Sequence, residues 1–212
     1  MKKLFISLCL LTVCYTFAQR GWRDQNFLGF TGGYAMADML GDETKLKSKG
    51  GFFLGFETRG AFYNDWDLVY GIDIFQNKYE GEAQAFAGAV VQETEYTLIG
   101  GQIKFLASYR IISPNLAIDF GPALHFNGSL DLDDDGQENL FVTGADTTAG
   151  DLEDVGYVNL NLVGGITVGF RKVRLRAHYH YGVFPFWNTE SVDGDDVKGN
   201  LGILYVGAIF YL

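Results

Sequence analysis

The sequence predicts an all-β protein, an eight-stranded antiparallel up-and-down transmembrane β-barrel. Three observations lead to this fold class. Apolar and polar residues alternate with a period of two along segments of roughly ten residues, as in strands with two different faces. Long polar segments alternate with tight turns between these strands, as in membrane barrels. The chain is also rich in glycine (28 residues) and aromatic residues (16%) and poor in proline (3 residues), a composition that favours strands over disorder.

Residues 1–18 have the layout of a cleaved signal peptide. Two lysines precede an apolar run that ends near the small residue Ala18, where cleavage is expected. The run is too short to span a bilayer comfortably as a helix. Both cysteines, Cys9 and Cys14, lie in this segment. The mature domain, residues 19–212, is therefore predicted to have no thiol, disulfide or zinc–thiolate site.

The stretch "FFLGFETRGAF" illustrates the alternation: Phe52, Leu54 and Phe56 share one face, while Glu57 and Arg59 share the other. The same period predicts further strands near residues 27–37, 68–77, 99–109, 116–126, 158–170, 173–184 and 201–212. Eight strands form a barrel in which short turns face the periplasm and long loops face outward.

The connections between these strands fall into two classes. Long polar loops are predicted over residues 38–50, 80–95, 127–156 and 187–199, and tight turns near residues 63–67, 112–115 and 171–173. The two classes alternate along the chain. An even number of strands also places both chain ends on the periplasmic side, as expected of an exported precursor.

The stretch "RLRAHYHYG" decides which strand face points inward. Arg174, Arg176, His178 and His180 share one face of a strand. A lipid-facing arginine near the membrane midplane would cost about 2–4 kcal/mol, so the basic face must line the lumen. Buried charges need partners. Strand parity assigns these residues to an ionic network in the lumen: Glu57, Arg59, Asp73, Lys104, Arg110, Asp119, Arg171, Arg174, Arg176, His178 and His180.

Each predicted strand also carries a glycine on its inward face. We expect these positions to make room for long side chains in a narrow lumen, although glycine could instead relieve strand curvature. They are Gly33, Gly55, Gly71, Gly100, Gly121, Gly165, Gly182 and Gly207. Aromatic residues near the strand ends are typical of interfacial girdles. Those assigned to the girdles include Trp66, Tyr79, Tyr96, Tyr109 and Tyr211.

The segment "DLDDDGQENL" in the third outer loop resembles the first half of a calcium-binding loop. Asp131, Asp133 and Asp135 precede Gly136, with oxygen ligands at the spacing that calcium loops use. Glu138 could supply a missing ligand, as could acidic residues at positions 151, 153 and 154. The alternative is a solvated acidic loop that interacts loosely with divalent ions. Apart from this possible Ca²⁺, we expect no cofactor.

The C-terminal segment "YVGAIFYL" places Gly207, Phe210 and Leu212 at the spacing of the terminal signal that barrel-assembly machinery reads; the usual last residue is aromatic, so Leu212 is a departure. With the "FAQ" cleavage region and the glycine-rich strands, the chain resembles the small outer-membrane β-barrel domain family common in Bacteroidota. That family includes PorT-like proteins and is similar in architecture to OmpA/OmpX-type barrels. The resemblance implies a location in the outer membrane, in contact with lipid and the assembly machinery. It assigns no functional residue.

The composition narrows the function classes. A formal net charge of −10 repels phosphate backbones, so we expect no nucleic-acid partner. We expect a non-enzymatic barrel with a filled lumen that acts through acidic outer loops, on a partner protein, a cation or a surface. An assembly or secretion accessory is a variant of this hypothesis. The alternatives are an outer-membrane enzyme acting on lipid or peptide, a soluble lipocalin-type carrier, and a pore, for which eight strands leave little space.

Overall fold

Eight long strands and one short strand form a single antiparallel sheet. A computed structural model describes residues 26–40, 46–86, 89–112, 115–142, 148–150, 155–185 and 200–212. The strands are β1 (Asn26–Leu40), β2 (Lys47–Tyr63), β3 (Trp66–Gln84), β4 (Gln92–Ile112), β5 (Leu116–Leu132), β6 (Phe141–Val142), β7 (Val158–Gly169), β8 (Val173–Pro185) and β9 (Asn200–Tyr211). The expected signal peptide lies outside the described residues.

The eight long strands close into a barrel. Each pairs with its neighbour in the chain, with β5 pairing with β7, and β9 returns to pair with β1. Closure removes the free edges that an open sheet would leave unpaired. The predicted eight-stranded up-and-down barrel is therefore confirmed, and β6 is a two-residue addition that pairs with the outer end of β3.

Alternation of burial along every long strand distinguishes an inward from an outward face. In β3, the buried residues Asp73 and Asn77 alternate with the exposed residues Ile72 and Ile74. The outward face is apolar over the middle of all eight strands, which is the surface that lipid requires. Among the described residues, no helix is long and apolar enough to span a membrane.

Three of the predicted long loops are partly strand. In the first, β1 continues to Leu40 and β2 begins at Lys47. β3 continues to Gln84, β4 begins at Gln92 and β5 continues to Leu132, so the predictions of loops over 38–50, 80–95 and from 127 onward were wrong at these ends. A membrane strand needs about 9–11 residues, whereas β3, β4 and β5 have 19, 21 and 17. Their surplus forms an outer wall, defined here as residues 76–84, 92–98 and 128–132.

The chain reverses tightly at the opposite, periplasmic end. Asn64 begins the turn between β2 and β3 with a φ of 48°, a left-handed conformation that asparagine tolerates better than most residues. A second short turn, residues 170–172, joins β7 to β8. Short turns at one end and long connections at the other identify the outer wall as extracellular.

Candidate functional site

The lumen contains a network of buried charges at its periplasmic half, centred on Glu57. This carboxylate accepts hydrogen bonds from Arg176 Nη1 (2.8 Å) and from the hydroxyl of Tyr211 (2.6 Å). Lys104 Nζ lies 3.3 Å from Glu57 Oε2. Each of these four side chains is almost fully buried. Because a buried carboxylate is stable only when paired and hydrogen-bonded, these contacts satisfy the charge of Glu57.

Asp73 shares its partners with Glu57. Lys104 donates to Asp73 Oδ2 (3.0 Å), as does the amide of Gln102 (2.8 Å). Arg176 Nη2 lies 3.6 Å from the same oxygen. Lys104 and Arg176 therefore each bridge two carboxylates that come from different strands, which makes the four charges one connected unit.

A second cluster surrounds Asp119 on β5. His178 Nε2 lies 2.9 Å from Asp119 Oδ2, and because an ionised carboxylate only accepts, the imidazole nitrogen donates. Thr167 donates a short hydrogen bond to the same oxygen. Arg59 Nη2 lies 3.4 Å from Asp119 Oδ1, and Arg59 Nε donates a hydrogen bond to the hydroxyl of Tyr211 (3.2 Å). Arg59 therefore connects this cluster with the one at Glu57.

Asp67 connects the network to the periplasmic mouth. Arg59 and Arg110 each place a guanidinium nitrogen 3.6 Å from an Asp67 oxygen. Arg110 also donates to the carbonyl of Asn64 in the β2–β3 turn (2.7 Å). Asp67, Gln102 and Thr167 were not among the predicted network residues, although each has the strand parity of an inward position.

The buried bases exceed the buried acids by one within the described part of the chain. The acids are Glu57, Asp67, Asp73 and Asp119, and the bases are Arg59, Lys104, Arg110, Arg174 and Arg176. Arg174 is the base that has no ion pair among the described residues. Its guanidinium lies 5.7 Å from the centre of the Tyr211 ring, and its Nε donates to the carbonyl of Phe170 (3.3 Å).

Arg171 is not a lumen residue, contrary to our expectation. β7 ends at Gly169, so Arg171 falls in the turn before β8, where strand parity no longer sets the direction of a side chain. The residue is exposed, and its guanidinium lies 5.8 Å from the centre of the Phe27 ring. The other ten predicted residues are buried. Eight of them form ion pairs, while Arg174 has none among the described residues and His180 pairs with another histidine.

His180 lies where the network gives way to an apolar half-lumen. Its Nδ1 is 3.2 Å from Nε2 of His125, and its ring centre is 4.5 Å from that of Tyr205. Both histidines are fully buried. Two imidazoles joined by one hydrogen bond share a single proton between facing nitrogens, so this pair needs no carboxylate partner.

The outer half of the lumen is a hydrophobic core. Phe53, Phe75, Tyr79 and Tyr96 fill it and are at most 2% exposed. Four further residues pack against them from the outer connections, namely Leu46, Val142, Ala149 and Val155. These four described residues therefore cover the outer end of the lumen. Tyr79, Tyr96 and Tyr211 point inward, so their assignment to the interfacial girdles was wrong; aromatic character does not reveal direction.

Several inward glycines lie directly under large side chains. A methyl group at Gly71 would overlap Lys104, and one at Gly207 would lie 2.7 Å from the ring of Phe53. These contacts agree with the expectation that inward glycines make room for long side chains.

The outward face of the outer wall is acidic. Glu82 on β3 lies directly opposite Glu93 on β4, and the next pair is Glu80 opposite Glu95. Lys49 bridges the second pair, with its Nζ 3.0 Å from Glu80 and 2.6 Å from Glu95. These hydrogen bonds raise the pKa of Lys49 above its usual range. Like charges directly opposite each other destabilise a sheet, so a cation at the Glu82–Glu93 pair would stabilise it; neither residue has an ion pair within the described ranges.

Asp131 and Asp133, two of the candidate calcium ligands, lie at the edge of this acidic face. Asp133 accepts a hydrogen bond from Thr97 (2.8 Å) and pairs with Lys78 (3.2 Å), and these contacts lower its pKa. Asp131 is exposed on β5 and accepts a hydrogen bond from Ser129. Asp135 begins a short 3₁₀ helix that ends at Gln137, and Glu138 follows it, exposed.

Within the described residues, no three acidic, histidine or cysteine side chains come together as a metal site. The positions 151, 153 and 154 lie outside the described residues, so the calcium hypothesis remains a prediction.

The residues of the expected assembly signal lie in β9, the strand that closes the barrel, and directly after it. Gly207 on β9 pairs with Gly33 on β1 and with Arg176 on β8. Phe210 and Leu212 face outward and are exposed, and the backbone nitrogen of Leu212 donates to the carbonyl of Leu28 (2.9 Å). Recognition by assembly machinery stays a prediction.

The features described above define a class of protein. The barrel is closed and has eight strands, its outward band is apolar and its lumen is charged. Short turns join the strands at one end, and the strands extend beyond the apolar band at the other. By fold, the chain is an eight-stranded outer-membrane β-barrel. It is similar in structure to Ail, the attachment invasion locus protein of Yersinia pestis, with a TM-score of 0.50, 15% sequence identity, and coverage of 89% of this chain and 99% of that chain. It is also similar to Neisserial surface protein A, with a TM-score of 0.50, 17% identity, and coverage of 88% and 97%. No protein-family model matches the sequence, and no curated protein is significantly similar to it.

Proposed function

We propose that the protein is a non-enzymatic barrel of the outer membrane that presents an acidic surface to a positively charged external partner. The observation that carries this proposal is the outer wall, in which Glu82 faces Glu93 on strands that rise above the apolar band. A basic partner, a cation or a basic surface would relieve this repulsion. The lumen serves as the rigid support, because its outer half is filled by packed apolar side chains.

Residence in the outer membrane is supported by the apolar outward face. Its exposed side chains include Phe56, Ile74, Ile103, Leu162 and Leu175, from five different strands. An exposed apolar surface of this extent is unstable in water and stable in lipid. A soluble carrier of the lipocalin type would have the reverse polarity, with an apolar lumen throughout.

Contact with a partner suits two kinds of biological role. The first role is adhesion, which is supported by the similarity to the Yersinia protein Ail, a protein named for attachment and invasion. The second is that of an accessory in assembly or secretion, in which the partner is another envelope protein; the PorT-like resemblance of the sequence favours it.

A binding experiment with a control substitution at the periplasmic end of the barrel tests this proposal. The barrel in lipid nanodiscs is passed over an immobilised lysine-rich peptide, and partners are also captured from native outer membranes and identified by mass spectrometry. The double substitution Glu82→Gln and Glu93→Gln should abolish peptide binding, and binding of the parent should weaken with salt. Asp65→Asn, which removes an exposed acid in the periplasmic β2–β3 turn, is the control. Equal binding by the double variant and the parent would refute the role of the acidic wall.

A further inference from the structure

The periplasmic end of the lumen holds more arginine than acid. Arg59 and Arg110 share Asp67, and each places a guanidinium nitrogen 3.6 Å from one of its oxygens. Arg174 is a third guanidinium in this region, and its charge acts on Asp67 together with the charges of Arg59 and Arg110. Arg174 and Arg59 also lie close enough for their like charges to repel each other. Three guanidinium groups therefore depend on one carboxylate at the periplasmic mouth.

Arg174 is the base that this shortage of acids leaves unpaired. Asp119 already pairs with Arg59 and His178, and Arg174 forms no ion pair with any residue that the structure describes. Its Nε donates to the carbonyl of Phe170 (3.3 Å), and its two terminal nitrogens have no acceptor among the described residues. Because Arg174 is only 3% exposed, bulk water cannot fully solvate its charge. A buried cation of this kind is stabilised by an anion at its free N–H groups.

The surroundings of Arg174 favour a small oxyanion. Its guanidinium carbon lies 5.7 Å from the centre of the Tyr211 ring, which is a cation–π distance. A guanidinium packed on an aromatic ring keeps N–H groups at its edge, and this edge matches two oxygens of a carboxylate or a phosphate. A halide ion offers no such pair of acceptors. Because the side chain is almost fully buried, only a small anion could reach this edge.

A second arginine stands at the rim of the same mouth. The guanidinium of Arg171, in the turn before β8, lies 5.8 Å from the centre of the Phe27 ring. The Phe27 ring in turn lies 5.4 Å from the Tyr211 ring, which Arg174 contacts. Arg171 has no ion pair within the described part of the chain. Its positive charge, on the periplasmic side of the buried arginines, attracts anions to the mouth.

We propose that the periplasmic mouth of the lumen binds one small soluble oxyanion, a carboxylate or phosphate group, at the guanidinium of Arg174. The anion supplies the negative charge that the described buried acids lack, and Arg171 attracts it from the periplasm. The site lies at the opposite end of the barrel from the outer wall and does not depend on the proposed binding of a basic partner. Binding makes the stability of the barrel depend on the concentration of this anion.

Isothermal titration calorimetry of the detergent-solubilised barrel with inorganic phosphate, acetate or chloride, at constant ionic strength, tests the proposal. The parent should bind phosphate or acetate at least about tenfold more tightly than chloride, because only an oxyanion accepts two N–H groups at once. The tighter of the two identifies the kind of oxyanion. Arg174→Met, an unbranched side chain without charge, should weaken this binding at least about tenfold. Because Arg174 has no described ion pair to lose, the urea midpoint of this variant in Tris buffer without phosphate or acetate should equal or exceed that of the parent.

Matched variants separate this site from general attraction of anions. Lys78→Gln removes an exposed base from the outer wall, and its affinity for phosphate and acetate should equal that of the parent. If Arg174→Met does not refold, Arg174→Lys keeps the charge without the planar guanidinium and should lose the preference over chloride; retention of that preference would overturn the proposal. Parent-like oxyanion affinity in Arg174→Met, or no preference over chloride in the parent, would also overturn it. Binding of the lysine-rich peptide by Arg174→Met should be unchanged, so failure of the anion site differs from failure of the acidic wall.

Discussion

Replacing Arg176 with leucine should destabilise the barrel by about 3 kcal/mol. Arg176 donates to Glu57 at 2.8 Å, lies 3.6 Å from Asp73, and stacks 4.9 Å from the ring centre of Phe53. Removing one partner of a buried ion pair costs about 3–5 kcal/mol because it leaves an uncompensated buried charge. Lys104 remains within 3.3 Å of both carboxylates, which places the expected loss at the lower end of that range.

The assay is equilibrium unfolding by guanidinium chloride in lipid vesicles, followed by tryptophan fluorescence and by the gel mobility of unheated samples. Arg176→Lys, which keeps the charge, should cost less than Arg176→Leu. Leu175→Ala, at the exposed neighbouring position, measures the cost of a truncation that faces lipid. In the double variant Glu57→Gln, Arg176→Leu the two effects should not add, with a coupling of at least about 1 kcal/mol. A loss below about 1 kcal/mol for Arg176→Leu, together with additivity, would refute the ionic network as a stabilising unit.

Four further predictions concern the fold and the outer wall. Purified in detergent, the protein should give a strand-dominated circular dichroism spectrum and migrate differently on gels before and after boiling; a helical spectrum would contradict the architecture. Leu175→Arg should cost about 2–4 kcal/mol in the same unfolding assay if the position is near the membrane midplane, and tolerance of this charge would show that the assigned faces are wrong. Under the calcium hypothesis, millimolar Ca²⁺ should protect the third outer loop from proteolysis, and Asp131→Asn with Asp133→Asn should abolish this protection; equal protection by Mg²⁺ would leave only an acidic surface. Because the pKa of Asp133 is lowered, its pairing with Lys78 should be fully present above the unfolded pKa of about 3.9 and disappear as the pH falls further, so proteolysis of this region by pepsin should accelerate below that pH in the parent but not in Asp133→Asn.

The inward and outward faces could be predicted from the sequence because two strong constraints agree. The strand period assigns every second residue to one face, and the cost of charge in lipid decides which face is inside. Glu57, Lys104 and Arg176 are consequently found on the inward faces of three different strands. The identity of each partner could not be predicted, because it depends on the stagger between strands that are far apart in the chain.

Sequence patterns fail to predict the structure where the strand period is interrupted or where a residue type suits two environments. Arg171 lies beyond the end of β7, where parity has no meaning. In β5, a register shift near Gly128 moves Leu130 inward and Asp131 outward. Because the shift interrupts the alternation, the acidic segment that follows was predicted to be a loop although its first residues belong to the strand. Tyr211 has a ring typical of an interfacial girdle, but its hydroxyl is the partner of Glu57 and Arg59.

The buried polar contacts of the lumen connect parts of the chain that are synthesised far apart. Glu57 and Arg176 are separated by 119 positions, and Arg59 and Tyr211 by 152. During insertion, the early strands therefore bring Glu57 and Arg59 to the membrane before their partners on β8 and β9 can arrive. A half-assembled sheet would expose these charges to hydrocarbon, at a cost that rises until the last strand docks. We therefore expect assembly to be all-or-none. Removing the final strand from the native barrel would again expose the same charges, so the barrel should unfold slowly.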